Sequence, residues 1–170
     1  MLFSEIPRTR LYLKNSELIK TLYRLLVNKI EQGVQVDQFE KEFALWTGCK
    51  NAIAGSYARV CFYYILKKLL LIGPPGEIIT TPITIHDMIN MIVCAGLQPR
   101  FIDIDRSTFQ MDPDLLEKTI NPNTRAVLVT HLFGMPSNME KIVSICQKHG
   151  LILIEDCSHG FGSKYKGKLC

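Results

Sequence analysis

The stretch Leu151-Ile152-Leu153-Ile154-Glu155-Asp156-Cys157-Ser158-His159-Gly160 sets an apolar run against two adjacent carboxylates and a loop that ends in glycine. Four consecutive aliphatic residues leave no polar face, which predicts a strand covered on both sides, as in a parallel sheet. A carboxylate at the tip of such a strand is costly unless a donor or a positive group meets it. Ligands of open parallel sheets bind beyond the carboxyl ends of the strands. The residues after each strand are therefore the ones to inspect.

Working outward, the same pattern recurs. Strands are expected at Ala52–Ala54, Ile78–Thr81, Arg100–Ile104, Ala126–Thr130 and Leu151–Glu155, with helices near 57–71, 86–95, 113–119 and 137–148 between them. This alternation gives an α/β class, a mostly parallel sheet flanked by helices with right-handed crossovers. Before it, residues 1–14 read as an irregular arm. Residues 16–32 read as a helix with Leu18, Ile19, Leu22, Leu25, Leu26 and Ile30 on one face, Asn15 or Ser16 as cap and Gly33 as stop. A second helix is expected over 38–47, where Asp37 and Glu40 have capping-box spacing.

The chain has 170 residues, 47% hydrophobic and 21% charged, an ordinary globular composition long enough for a real core. A net charge of +4 is too small and dispersed to argue for nucleic acid. Val60–Ile72, the most apolar stretch, is broken by Lys67-Lys68 and is too short to span a bilayer. None of the six cysteines forms a C-x-x-C pair, so no metal site is expected. With no signal peptide visible at Met1, reduced thiols in a cytoplasmic protein are the simplest expectation.

Each strand end offers a functional and a structural reading. Gly55-Ser56-Tyr57-Ala58-Arg59 opens a helix whose free N–H groups suit a phosphate; it equally fits a plain Ser56 cap with a surface arginine. Pro82 ends the second strand, and His86 and Asp87 read most simply as the start of the next helix. His131 reads as a structural hydrogen-bonder, and Ser137 as the cap of the helix that follows Gly134 and Pro136. For Asp156, a pyridinium nitrogen, a metal, a nucleotide ribose or a backbone nest would each serve as partner, and a structural role stands equally open.

Taken in order, these pieces resemble the DegT/DnrJ/StrS family of sugar aminotransferases that depend on pyridoxal 5'-phosphate (PLP). The resemblance runs from about Gln35 to Cys170. It covers Phe39–Phe43, Gly48–Ala52, the 55–59 turn, Thr81-Pro82 through Asn90, Phe101–Asp105, His131–Gly134, and Glu155–Gly162 followed by Tyr165-Lys166-Gly167-Lys168. It implies an incomplete large domain of the aspartate aminotransferase-like fold type I over 35–170, preceded by the arm and helix of 1–34. It further implies that Asp156 pairs with the pyridinium nitrogen and that His159 lies beside the phenolic oxygen. Ser56, Tyr57, Ala58 and Arg59 would hold the phosphate, and Thr84–Asp87 would cover a ring face. The expected substrates are a nucleotide-linked keto-sugar and an amino-acid donor, and the full-length protein is expected to be a homodimer.

The sequence departs from the family pattern in three places. The phosphate turn usually reads Ser-Gly-Thr, where this chain has Tyr57-Ala58-Arg59. The stacking position, usually aromatic, falls on Ile85 or His86. The Schiff-base lysine belongs beyond Cys170, and none of Lys164, Lys166 and Lys168 matches it, so the chain alone is expected not to catalyse transamination. In the family's large domain two later strands separate the first strand from the rest. Without them Ala52–Ala54 is expected to lack a neighbour, and the fourth strand, Ala126–Thr130, to present a raw edge. The alternatives are a non-catalytic remnant that binds PLP or a partner, the family's dehydratase branch with no lysine, and a flavodoxin-like or Rossmann-like module for another phosphate ligand.

Overall fold

The structure, a computed structural model, describes residues 14–27 and 33–170. The arm of 1–13 and the predicted helical residues 28–32, Ile30 among them, lie outside the described residues. The chain divides into two compact units, one ending at Ala54 and one spanning Gly55–Cys170.

In the first unit, helix α1 spans Asn15–Leu26 and α2 spans Val34–Thr47. The residue flanking α1 is Lys14, so Asn15 lies inside the helix and caps nothing. Helix α2 begins four residues before the sequence suggests, with Gly33 as its N-cap in place of a stop for α1. Asp37 therefore falls within the first turn, where it complements the helix dipole, and the capping box does not form. Glu40 serves a tertiary bond instead: its Oε1 accepts from the Ala54 N–H at 2.7 Å. That bond ties the segment after α2 back to the helix. Residues 51–55 form no strand, and Ile53 is 88% exposed. The expected strand at Ala52–Ala54 has no ladder partner among the described residues.

In the second unit, α3 (Ala58–Leu71), α4 (His86–Ala95), α5 (Pro113–Thr119) and α6 (Met139–Lys148) alternate with β1 (Glu77–Thr80), β2 (Gln98–Phe101), β3 (Thr124–Thr130) and β4 (Ile152–Asp156). The four strands are parallel in the order β2-β1-β3-β4. The strand after Ala126 is thus central, paired on both sides, and the expectation of a raw edge there is wrong. The sheet's edges are β2 and β4. Burial agrees, with Ala126, Val127, Leu128 and Val129 fully buried while β2 is largely exposed.

Strand alternation splits the core between two faces. Ile78, Ala126 and Leu128 pack against Phe62, Leu66 and Leu69 of α3 and Met88 and Ile92 of α4. Ile79, Val127 and Val129 pack against Leu116 of α5 and Ile142, Ile145 and Cys146 of α6. Burial pushes the Cys146 thiol up to about 11, which marks a core residue and not a nucleophile. Helix α5 starts where Asp112 accepts from the N–H groups of Asp114 and Leu115, with Pro113 in the first turn. The cap of α6 is Asn138, whose side chain accepts from Lys141 N–H; Ser137, the expected cap, is fully buried in other bonds. A two-stranded hairpin closes the chain, β5 (Lys164–Tyr165) with β6 (Lys168–Leu169). Its turn residues Lys166 and Gly167 both take positive φ, 49° and 84°, the pattern of a type I′ turn.

Truncating Leu128 to Ala is expected to cost about 2–5 kcal/mol as a core cavity. Ile53→Ala should stay within about 0.5 kcal/mol. Urea unfolding of the two variants checks the contrast, and an equal loss at Ile53 would restore Ala52–Ala54 to the sheet.

Candidate functional site

At the carboxyl ends of β3 and β4 lies a cavity of about 510 Å³. Its walls include Ala58, Cys61, Phe62 and Ile65 from the start of α3, Met88 from α4, Leu128 and Ile154 from the sheet, and Asp156, Ser158 and Phe161 from the strand end and loop. The opening turn of α3 and the tip of β4 thus meet at one opening. The parallel pairing of β3 with β4 runs to Thr130 opposite Asp156, and this carries the carboxylate to the mouth.

Asp156 is 9% exposed. Its Oδ1 accepts from the Ser158 N–H at 3.0 Å and from the Ser158 hydroxyl at 2.6 Å. A carboxylate this buried needs such donors. Both bonds engage one oxygen, so the group is oriented while its other oxygen can serve a ligand. Ser158 was not singled out in the sequence, although an aspartate bonding two residues on is an ordinary Asx turn.

At the start of α3, the Tyr57 carbonyl accepts from the N–H groups of Val60 and Cys61. The N–H groups of Ala58 and Arg59 precede the first closed turn and point out of the helix end, where the dipole is positive. Tyr57, not Ser56, is the capping residue, and its side chain makes no cap bond. Arg59 reaches Asp87 at 3.0 Å and its guanidinium lies 4.8 Å from the centre of the Tyr57 ring. Asp87 also meets His86 at 3.1 Å. One carboxylate therefore links the 56–59 turn to the start of α4. Ile85 and His86 are exposed there, the imidazole 86% so, and the cavity wall from this helix is Met88. His159 is exposed and stacks on Phe133 at 6.3 Å, while its neighbours Ser158 and Phe161 line the cavity.

His131 is fully buried. Its Nδ1 accepts from the Ser137 N–H at 3.2 Å, and its Nε2 lies 3.1 Å from Glu155. An acceptor role at Nδ1 assigns the proton to Nε2, which then donates to the carboxylate. His131, Glu155 and Cys157 bring potential metal-ligating atoms within 4.8 Å of one another. That tautomer has no Nε2 lone pair to offer, and releasing one would orphan the buried Ser137 N–H.

The parallel α/β sheet, with a carboxylate at one strand tip and a helix N-terminus at the same cavity, superposes on solved aminotransferases and has the PLP-dependent fold type I architecture. The chain belongs to the DegT/DnrJ/EryC1/StrS aminotransferase family, whose pattern it matches over residues 14–170. It is 38% identical over 140 residues to the spore coat polysaccharide biosynthesis protein SpsC of Bacillus subtilis, covering 82% of this chain and 36% of SpsC. The aminotransferase from Psychrobacter cryohalolentis superposes with a TM-score of 0.83 at 32% identity, covering 92% of this chain and 40% of that one. The GDP-4-keto-6-deoxy-D-mannose-3-dehydratase of E. coli, solved with bound hydrated PLP, superposes with a TM-score of 0.83 at 25% identity over 95% of this chain and 43% of its own. The chain thus spans about two fifths of the proteins it matches. Pyridoxal phosphate is the cofactor of this group.

The residues present fit that cofactor. Asp156 offers an anion to a ring nitrogen, Phe62, Ile65, Leu128 and Phe161 offer apolar walls to a flat ring, and the α3 terminus offers N–H groups to a phosphate.

A Cβ at Gly55 would lie 2.2 Å from the Cys61 sulfur, so the thiol must turn away to admit a side chain there. Gly55→Ala is expected to destabilise by about 1–3 kcal/mol, and Cys61→Ala in the same chain should recover most of that loss. Thermal unfolding of the single and double variants reads the coupling.

Proposed function

We propose that this chain is the cofactor-binding part of an aminotransferase that moves an amino group from an amino acid to a keto-sugar carried on a nucleotide. The observation that carries the reading is the shared cavity of Ala58 and Asp156. It brings to one opening a helix N-terminus suited to a phosphate and a carboxylate suited to a pyridinium nitrogen. The family match and the likeness to sugar-processing relatives support it.

When bound, PLP acts as an electron sink for a bond breaking at the substrate's α-carbon. Asp156, held by Ser158, keeps the ring nitrogen protonated. The N–H groups of Ala58 and Arg59 bind the phosphate, and Arg59, shared with Asp87, adds positive charge beside it. Ile85 and His86 stand outside the cavity wall, so one of them would have to turn inward to pack over a ring face, and His159 would have to leave Phe133 to stand beside the phenolic oxygen. Among the described residues no lysine lines the cavity. These 170 residues are therefore proposed to bind the cofactor without completing amino transfer. The full-length protein is proposed to be a homodimer with both subunits lining each site. A second reading, the dehydratase branch, draws on the likeness to the E. coli dehydratase; it uses the same Asp156 and phosphate turn.

Asp156→Asn should weaken PLP binding by roughly tenfold or more, the loss of one charge-assisted hydrogen bond, as measured by equilibrium dialysis. Arg59→Ala should weaken it by a smaller factor, since the ion pair is half-exposed. Borohydride reduction of the PLP-loaded chain should leave Lys164, Lys166 and Lys168 unlabelled in peptide mass spectra. Stoichiometric labelling of any of them would defeat the assignment of binding without covalent attachment.

A further inference from the structure

We propose that His131 is a positioning residue for Asp156, setting the direction in which that carboxylate faces the cofactor ring; this rests on the reading of Asp156 given above. His131 stands outside the cavity wall, yet its backbone and its side chain each hold the strand tip. Its backbone N–H donates to the Asp156 carbonyl at 3.1 Å, one step past the last rung of the β3–β4 ladder. Its Nε2–H donates to Glu155 at 3.1 Å. Its Cβ closes on the loop after Asp156, where a methyl group on Gly160 would come within 3.0 Å of it. One side chain therefore grips the residue before Asp156 and the end of the turn after it.

Successive side chains of a strand point to opposite faces. Ile154 packs with the α3–α4 side of the core and Leu153 with the α5–α6 side. Asp156 shares the face of Ile154, and Glu155 that of Leu153. Glu155 also reaches the cavity lining, and its carboxylate is held by His131; holding it restrains rotation of the strand end about its axis, and that rotation sets where Asp156 points. The clamp is itself held. Ser137 N–H donates to Nδ1, the Ser137 hydroxyl donates to Gln110 at 3.1 Å, and Gln110 donates to the Leu132 carbonyl at 3.3 Å. All three of His131, Ser137 and Gln110 are buried. A satisfied network of this kind fixes one geometry, because each buried polar group would be orphaned by any other.

A histidine that only filled the core would affect every ligand alike. Positioning of Asp156 acts only through the ring nitrogen. The test compares binding of PLP with binding of its carbon analogue, 1-deaza-PLP, which has no ring nitrogen. The 170-residue chain is used with Asp156→Asn, His131→Ala, His131→Gln and Glu155→Ala. Glu155 is partly exposed, so its variant keeps the Ser137 bond and the fold even where His131→Ala does not.

The wild type should prefer PLP over the analogue by about tenfold, the equivalent of one hydrogen bond of about 1.4 kcal/mol. Asp156→Asn and Glu155→Ala should each erase most of that preference, read as the ratio of the two affinities within each variant. His131→Gln, whose amide keeps one acceptor and one donor, should restore part of what His131→Ala loses. If Asp156→Asn erases the preference and Glu155→Ala and His131→Ala preserve it, the positioning role is overturned and the cofactor reading stands. If the wild type shows no preference, or Asp156→Asn leaves it intact, the reading of Asp156 falls and takes this inference with it.

Discussion

A carboxylate that is nine-tenths buried at the tip of a parallel strand has to be met by donors, or burying it costs several kcal/mol. Asp156 is met on one oxygen by the backbone and hydroxyl of Ser158. Much of the surrounding structure serves the placing of this group. The β3–β4 register carries it to the sheet's end, apolar walls line the cavity below it, and the opening of α3 faces the same cavity. The low dielectric that makes the charge expensive would also strengthen its attraction to the protonated ring nitrogen proposed as its partner.

The two faces of the strand end divide the labour. On the cavity side, Asp156 and Ser158 join a mostly apolar wall. Behind the wall, His131, Ser137 and Gln110 form a buried set of hydrogen bonds that reaches the cavity through Glu155. The Arg59–Asp87–His86 cluster plays a comparable part at the helix ends, joining the turn at 56–59 to the start of α4. It is more exposed and correspondingly weaker.

Most of the sheet was legible because β3 and the aliphatic run of β4 are apolar on both faces and the helices keep their period, while the polar edge strand β2 begins two residues before its expected start. The bounds of α3, α4 and α5 fall within a residue of the expected ones. The misreadings share a cause: tertiary partners that local sequence does not show. Glu40 has capping-box spacing from Asp37, yet it bonds Ala54. Ser137 looks like a cap, yet it belongs to the His131 network while Asn138 caps the helix. Ala52–Ala54 reads as a strand, but a strand needs a neighbour. The order of the strands cannot be taken from their periodicity, and β3 proved central where an edge was expected. At the site, the strand tip and the α3 turn stood out in the sequence by their chemistry. Ser158, Cys61 and Met88 did not, because an ordinary residue becomes part of a site only through the approach of distant segments. The hairpin of Lys164–Leu169 carried a signal only in Gly167, since Lys166 takes a positive φ that a lysine seldom adopts.

The most direct measurement is the nitrogen-15 spectrum of PLP labelled at the ring nitrogen and bound to this chain, recorded across a pH series. Pairing with the strand-tip carboxylate predicts a nitrogen that stays protonated well above the pH at which the free cofactor loses that proton. A bound nitrogen that titrates together with the free cofactor would contradict the account.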